Sequence, residues 1–418
     1  MKVLDFLAST MPRLHRRGGR MLLNGIKCVL GWGHIYYYPV LTSKEIIENG
    51  NGRSLIIDSR RKGYYGNLVF GIESRDNSLE PVSLPDICIN EYKDVIIAGQ
   101  SQFVYETAKG AIVNDFQTLF DEGLYQNADS TLWLQKGGAA FLKTKFHEYH
   151  RDISEGIMIT GIFAFNYYHM LFENYIKLLA VEKSDIPKTV PIIVDSICKK
   201  YDSFQQVINT LNVSGRELIY LDRLEKMRVG HLYAVSNINI IAPQARDVMK
   251  TRPMDVAFDL NYLSTLRNRL LSLKSDKNFS KRVFIRRKGF AKRSWNEEEI
   301  SVFLKTKGFE EYSPQDLCFS DQIALFNDAE FIVAGSGAAL SNLLFCSEGC
   351  RVMCVYSAKV NIPSFTTLAY MNGAFMKYMI GTPIKSSSVS NTHSDFTVDI
   401  EKFKEVFARF ENERSEVI

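Results

Sequence analysis

Apolar and polar positions divide the chain into short alternating segments. From Ser54 to about Asp115 the runs S-L-I-I-D, N-L-V-F-G-I, D-V-I-I-A-G and A-I-V-N-D predict short strands, punctuated by Gly66, Gly99 and Gly110. Residues 128–150 follow no clear period. Gly156 to Gly161 predicts a strand and turn, and Phe165 to Glu182 one long helix. On that helix Asn166, His169 and Glu173 fall at i, i+3 and i+7, a polar stripe among Tyr, Met, Leu, Phe and Ile. The stripe has two readings: a His and a Glu that satisfy each other in the core, or groups that line a cleft. Pro191–Asp195, Glu217–Leu221, His231–Val235 and Asn239–Ile241 predict strands around a helix at Tyr201–Leu211. Strands alternating with helices predict a parallel sheet.

Pro243 to Pro253 reads as a crossing between domains, followed by a helix over Leu260–Leu273. A second αβ pattern begins at Arg282. Asn296 with Glu299 fits a capping box that opens a helix to about Lys307. Further helices are predicted at Ser320–Ala329, Ser364–Met371 and Asp399–Glu411, a strand at Arg351–Val355 and a loop over Gly381–His393. Between them Phe331–Gly335 reads as a buried strand, Gly335-Ser336-Gly337 as a sharp turn and Ala338–Phe345 as a helix. Strand, glycine turn and helix together aim backbone N–H groups and a positive dipole end at an anion. Glycine removes the Cβ that would hold a phosphate away. Many αβ units carry such a turn for packing alone. Here a strand ending in Arg286-Arg287-Lys288, with Arg293 close behind, adds donors suited to phosphate oxygens at the carboxyl end of a sheet.

The order V-F-I-Arg286, Arg293-S-W-Asn296-E, G-F-E-E-Y, F-S-D-Q-I-A-L-F and A-E-F-I-V-A-Gly335-Ser336-Gly337-Ala338-A-L-S-Asn342 resembles the C-terminal half of glycosyltransferase family 61. Bacterial members of that family act in capsule and surface-polysaccharide synthesis. Asn166-Y-Y-His169-M-L-F-Glu173 resembles the family's N-terminal motif. The resemblance covers roughly residues 95 to 400. The family often has His-Gly-Ala where this chain has Ser336-Gly337-Ala338, and Glu where this chain has Cys354.

The resemblance implies an α/β, GT-B-type fold of two Rossmann-like domains facing a central cleft. Residues 1–50 would be a basic leader, 51–250 the acceptor-side domain, 251–400 the nucleotide-sugar domain and 401–418 a C-terminal helix and tail. It implies an inverting, metal-independent glycosyltransferase that moves a sugar from a nucleotide-sugar donor, UDP-linked on this reading, to a growing surface polysaccharide, as free or lipid-linked acceptor. Glu173, His169 and Asn166 would then be catalytic, with one face looking toward the Gly335–Gly337 turn. Arg286, Arg293, Asn296, Gly335, Ser336, Gly337, Ala338 and Asn342 would hold the donor. No further cofactor is implied.

Composition narrows the class. The chain has 418 residues, enough for two domains, with 46% hydrophobic and 23% charged residues, an ordinary globular balance. A formal net charge of +4 is too small to argue for nucleic acid. Seven scattered cysteines, an odd number, favour reduced thiols in a cytoplasmic protein. Cys346, Cys350 and Cys354 recur every four residues but lack a paired C-x-x-C, so they read as structural. The long apolar stretch Ile157–Val181 holds Asn166, His169, Glu173, Asn174 and Lys177, against a membrane span. Lys2, Arg13, Arg16, Arg17, Arg20 and Lys27, with Trp32 and Tyr36–Tyr38, suit either peripheral binding to an anionic membrane on its inner face or a solvated leader.

Inversion needs a base for the acceptor hydroxyl and positive charge at the leaving diphosphate. Metal enzymes often hold that charge with a D-x-D pair, whereas Asp202, Asp222 and Asp316 are isolated here. Arg286, Arg293 and the helix start at Gly337 can serve instead, with Glu173 as base and His169 its rival. A catalytically inactive relative acting as a scaffold, or transfer of another activated group such as pyruvate or phosphoglycerol, are the alternatives.

Overall fold

The computed structural model describes residues 35–71, 78–136, 138–245, 250–287, 293–357, 362–384 and 395–413. The chain divides into two compact units. One comprises Met1–Ser59, Asp86–Asn237 and Ala242–Arg246, and the other Arg60–Pro85, Ile238–Ile241 and Asp247–Ile418. The sequence division at 250 therefore differs from the spatial one, because residues 60–85 belong with the C-terminal unit.

The first unit is built on one large sheet. Leu218–Leu221, Ile192–Asp195, Arg151–Met158 and Lys226–Val235 lie side by side in that order, all parallel. The helical stretch after Tyr167 and the Asp202–Leu211 helix supply the crossovers that parallel pairing requires. Beyond Lys226–Val235 the sheet turns antiparallel: the long Ile87–Ala98 strand pairs there along its length, and Gly52–Asp58 pairs back onto it. The expected parallel sheet thus covers one part of a mixed sheet. The sequence gives no sign of the change because hairpin strands and crossover strands share the same apolar composition. Of the N-L-V-F-G-I run the described residues 67–71 form only an isolated bridge at Phe70, and residues 128–150, which have no clear period, contain the Leu132–Lys136 and Ala139–Leu142 hairpin.

Tyr36–Leu41 is a strand of this sheet, with Tyr36 opposite Leu142. Tyr38 is buried against Tyr105 and Phe146. These tyrosines are sheet members, not the interfacial surface expected of a leader. Thr42 and Glu45 form a capping box on the following Ser43–Glu48 helix. The basic positions from Lys2 to Lys27 and Trp32 lie outside the described residues. Among the described residues no helix is long and apolar enough to cross a membrane.

The second unit holds a five-stranded sheet in the order Glu310–Tyr312, Arg282–Ile285, Phe331–Gly335, Arg351–Tyr356, Phe375–Ile380, every pair parallel. Numbered along the chain this is the order 2-1-3-4-5 of doubly wound folds. Helices Glu297–Thr306 and Ile400–Asn412 pack over it. Phe403, Phe407 and Phe410 of the last helix enter a core with Phe284, Val333 and Val355, and Phe407 stacks on Phe331 at 5.2 Å. The hairpin of Arg61–Gly66 and Leu79–Leu84 joins this unit. Gly66 donates its N–H to Thr367 Oγ1 at 2.9 Å. Any Cβ at Gly66 would meet Thr366 at 2.9 Å, so only glycine fits.

Arg61 anchors the hairpin. Its guanidinium pairs with Asp259 at 2.9 Å and donates to the carbonyls of Pro85 and Ile238, and both charged side chains are buried. Removing one partner of a buried pair strands the other charge. Arg61→Ala should therefore lower unfolding free energy by about 3–5 kcal/mol. Arg61→Ala with Asp259→Ala together should cost less than the sum of the single changes. Chemical denaturation of the four proteins measures both; additive losses would contradict the pairing.

Candidate active site

In the second unit the glycine turn stands at the carboxyl end of Phe331–Gly335, next to the end of Arg282–Ile285. These two strands flank the point where the 2-1-3-4-5 order changes direction, the place where open α/β sheets bind ligands. Arg287 Nη1 lies 3.5 Å and Arg293 Nη1 3.2 Å from the carbonyl oxygen of Ser336, so two guanidiniums converge on one acceptor. Burial, and then the neighbouring Arg293 charge, pull the Arg287 pKa down. Arg293 Nε is buried with no hydrogen-bond partner among the described residues. Arg293 itself has φ 61°, the left-handed region in which a bulky residue is strained. It is pinned there by Ser294, whose N–H donates to Asp395 and whose carbonyl accepts from the Phe396 N–H.

The turn differs in detail from the expectation. Gly337 is extended, with φ 178°, and Ala338–Phe345 is a 3-10 helix rather than an α-helix. Ser336 is buried and donates its N–H to the Val355 carbonyl, so that N–H is not presented to a ligand. Gly335 is set by packing: a Cβ there would lie 3.2 Å from Trp295 Nε1. A Cβ at Gly337 would lie 3.7 Å from Arg287 Nε, and Ala338 after it is half-buried.

Three expected donor residues have other employment. Arg286 is held by Glu297 at 3.1 Å, Glu298 at 2.6 Å and Glu311 at 2.8 Å. Burial raises the Glu311 pKa, but Lys305, Ser301 and Arg286 outweigh it and hold the carboxyl at about 2. Asn296 bonds the Val398 backbone on both sides, accepting its N–H at 2.8 Å and donating to its carbonyl at 2.9 Å. It also meets Glu299, but only through its amide; no side-chain cap bond is present. Asn342 is fully buried and donates to Gln322 at 3.1 Å. Within the Arg286-Arg287-Lys288 run, the sequence does not reveal which member faces which neighbour.

In the first unit the stretch expected as one helix is composite. It runs as α over Tyr167–His169, π over Met170–Asn174, 3-10 over Tyr175–Lys177 and α over Leu178–Val181. π segments mark functional positions more often than chance. Asn166 is not on the helix face but is its cap, accepting the Tyr168 N–H at 3.0 Å. His169 Nδ1 hydrogen-bonds Glu173 Oε2, and both side chains are mostly buried. Burial pulls the Lys177 ammonium, one more turn on, down to about 8, with the Glu173 carboxylate opposing the shift. Asp195, at the end of Ile192–Asp195, accepts the N–H groups of Gln100 and Gly161. Burial, with Asp129 adding to it, raises its carboxyl to about 7. Gly161 leaves room for Asn174, whose Oδ1 would lie 2.2 Å from any Cβ there.

Cys346, Cys350 and Cys354 are buried, and the Cys354 thiol is pushed up by burial. Among the described residues no group of three or more His, Cys, Asp or Glu is placed to hold a metal ion.

Residues 167–353, from the first turn of the composite helix through the glycine turn, match the family model described as Glycosyltransferase 61. By that match the chain is a glycosyltransferase. A search of curated proteins finds no match. The matched span of the glycosyltransferase includes both the His169–Glu173 pair and the Ser336 carbonyl with its two arginines.

Two outcomes follow. Arg286→Ala should destabilise the glycosyltransferase by about 1–3 kcal/mol, by leaving partly buried carboxylates unpaired, with little change in donor KM of the folded fraction. A large KM change at unchanged melting temperature would contradict this. Asp195 is easier to protonate in the fold than in the unfolded chain, whose carboxyl titrates near 3.9. Its stabilising contribution is complete below about pH 4 and is lost as pH rises through about 7. The stability advantage of wild type over Asp195→Asn should therefore shrink across that window, by about 1.4 kcal/mol per unit separating the two titrations. Denaturation at a series of pH values measures it.

Proposed function

We propose that this glycosyltransferase is a GT-B-type, inverting, metal-independent enzyme that uses a nucleotide-sugar donor, UDP-linked on this reading, to extend a surface polysaccharide at the inner face of the cytoplasmic membrane. The observation that carries the donor reading is the convergence of Arg287 and Arg293 on the Ser336 carbonyl, with Arg293 Nε unpartnered among the described residues. Two guanidiniums drawn to the same carbonyl form a cationic pair that suits a dianion, and a diphosphate brings several oxygens in the geometry that guanidinium forks accept. As the sugar–phosphate bond breaks, negative charge grows on the departing diphosphate, and the same two arginines stabilise it. The donor clamp is thus Arg287 with Arg293, in place of Arg286.

The His169–Glu173 bond supports the acid–base half. When His169 Nδ1–H donates to the Glu173 carboxylate, Nε2 keeps a lone pair for the acceptor hydroxyl proton. Glu173 then holds the tautomer and steadies the imidazolium that forms. In this reading His169 takes the proton and Glu173 orients it, with Lys177 balancing the carboxylate charge.

Turnover should fall roughly 100-fold or more in His169→Ala, and less in Glu173→Gln, with donor affinity nearly unchanged in both. Arg287→Ala and Arg293→Ala should instead raise donor KM and lower turnover together. Melting temperature and steady-state rates on the same samples separate these effects. A His169→Ala protein that melts early yet turns over normally per folded molecule would reduce His169–Glu173 to a structural pair. Excess EDTA should leave the wild-type rate intact; loss restored by manganese or magnesium would overturn the metal-independent reading.

A further inference from the structure

The loop that enters the His169 helix carries two aromatic rings in an unusual setting. Phe163 has φ 54°, left-handed backbone that glycine and asparagine adopt easily and a phenylalanine adopts at a cost. The conformation is closed by the Asn166 N–H, which donates to the Phe163 carbonyl at 2.8 Å. What the strained backbone achieves is placement: the Phe163 ring lies 4.8 Å from the His169 imidazole, at 39° to it. Phe165 stands against Phe163 edge to face, with centroids 6.3 Å apart and planes at 80°. Its side chain is not needed to fill the core, since Phe165 is 54% exposed while Ile162 and Ala164 beside it are buried. Phe165 is thus an exposed ring one contact away from His169, on a loop with left-handed backbone at Phe163.

We propose that Phe163 and Phe165 form the acceptor platform, on which the C–H face of a neutral sugar ring stacks while its reacting hydroxyl meets His169. This rests on the reading of His169 and Glu173 as the proton-accepting pair. A sugar suits the surface for two reasons. Its C–H hydrogens are weakly positive and meet the negative face of an aromatic ring. Its hydroxyls stay at the rim, where Phe165 is open to water and the imidazole is within the same cluster. Phe163 sets the height of the platform relative to the imidazole, and Phe165 offers the open face.

The test measures binding, so it does not depend on catalysis. Saturation-transfer NMR of the full chain with the methyl glycosides of glucose, galactose, mannose, xylose and rhamnose should show transfer to ring C–H protons of at least one of them. Phe165→Ala should lower that signal about fivefold or more at unchanged melting temperature, and Phe165→Trp should retain it. Phe163→Asn, which suits the left-handed backbone, should melt at the same temperature or higher yet lose signal. Saturation of UDP should be the same in all four proteins. Absence of transfer to every glycoside with wild type, or equal transfer with Phe165→Ala, would overturn the platform; so would loss of the UDP signal alone, which would make Phe165 a contact of the nucleotide. If His169→Ala leaves turnover intact while the glycoside results hold, the base assignment fails and the sugar platform stands.

Discussion

The second unit is assembled from three separate stretches of chain, and the Arg61–Asp259 pair is where they meet. Arg61 reaches from the hairpin to the Pro85 and Ile238 carbonyls and to the Asp259 carboxylate. Asp259 also accepts the Asn261 and Tyr262 N–H groups, capping the Leu260–Leu271 helix. That helix carries Arg267, which donates to the Leu344 and Cys346 carbonyls at the end of the 3-10 helix after the glycine turn. One buried charge pair therefore sets the hairpin, the helix start and, through Arg267, the segment that leads out of the candidate donor site. Such a pair adds little net energy over a well-packed apolar substitute, but breaking it leaves a buried charge uncompensated.

Around the turn, consecutive residues meet opposite fates. Arg286 is enclosed by three carboxylates, and Arg287 is directed to the Ser336 carbonyl beside Arg293. Side chains alternate in direction along extended backbone, so a step of one residue moves a guanidinium from a structural ion-pair network to a potential anion receptor. The network also holds Glu297 and Glu298 at the start of the Glu297–Thr306 helix, where acidic groups suit the helix dipole. The carboxylates thereby neutralise Arg286, and Glu297 acts on Arg287 as well.

In the first unit His169 and Glu173 meet where the helix departs from regular geometry. Asn166 caps the first turn, Phe163 is held left-handed behind it, and the π segment follows at once. Capping, strain and a widened turn fall within a dozen residues, on the loop that follows the Arg151–Met158 strand at the carboxyl end of the parallel strands. Local rules are broken where chemistry is expected, while the sheet below obeys them.

The sequence by itself determined the elements that repeat a simple period: the buried strands Ile192–Asp195 and Phe331–Gly335, the helices Asp202–Leu211 and Ile400–Asn412, and the strand–glycine–helix order of the second unit. It also brought His169 and Glu173 to notice, because four-residue spacing survives in a π segment as it does in an α-helix. Only the tertiary structure decided which partners the polar side chains meet. Asn296 and Asn342 carry the same side chain as a ligand-binding asparagine, and their commitment to Val398 and Gln322 depends on partners 102 and 20 residues away. The mixed pairing of the first sheet, the transfer of residues 60–85 to the second unit and the different partners of Arg286 and Arg287 are likewise long-range outcomes. Periodicity reports which face of a segment is apolar; it carries no information about what a polar side chain will meet once distant segments pack against it.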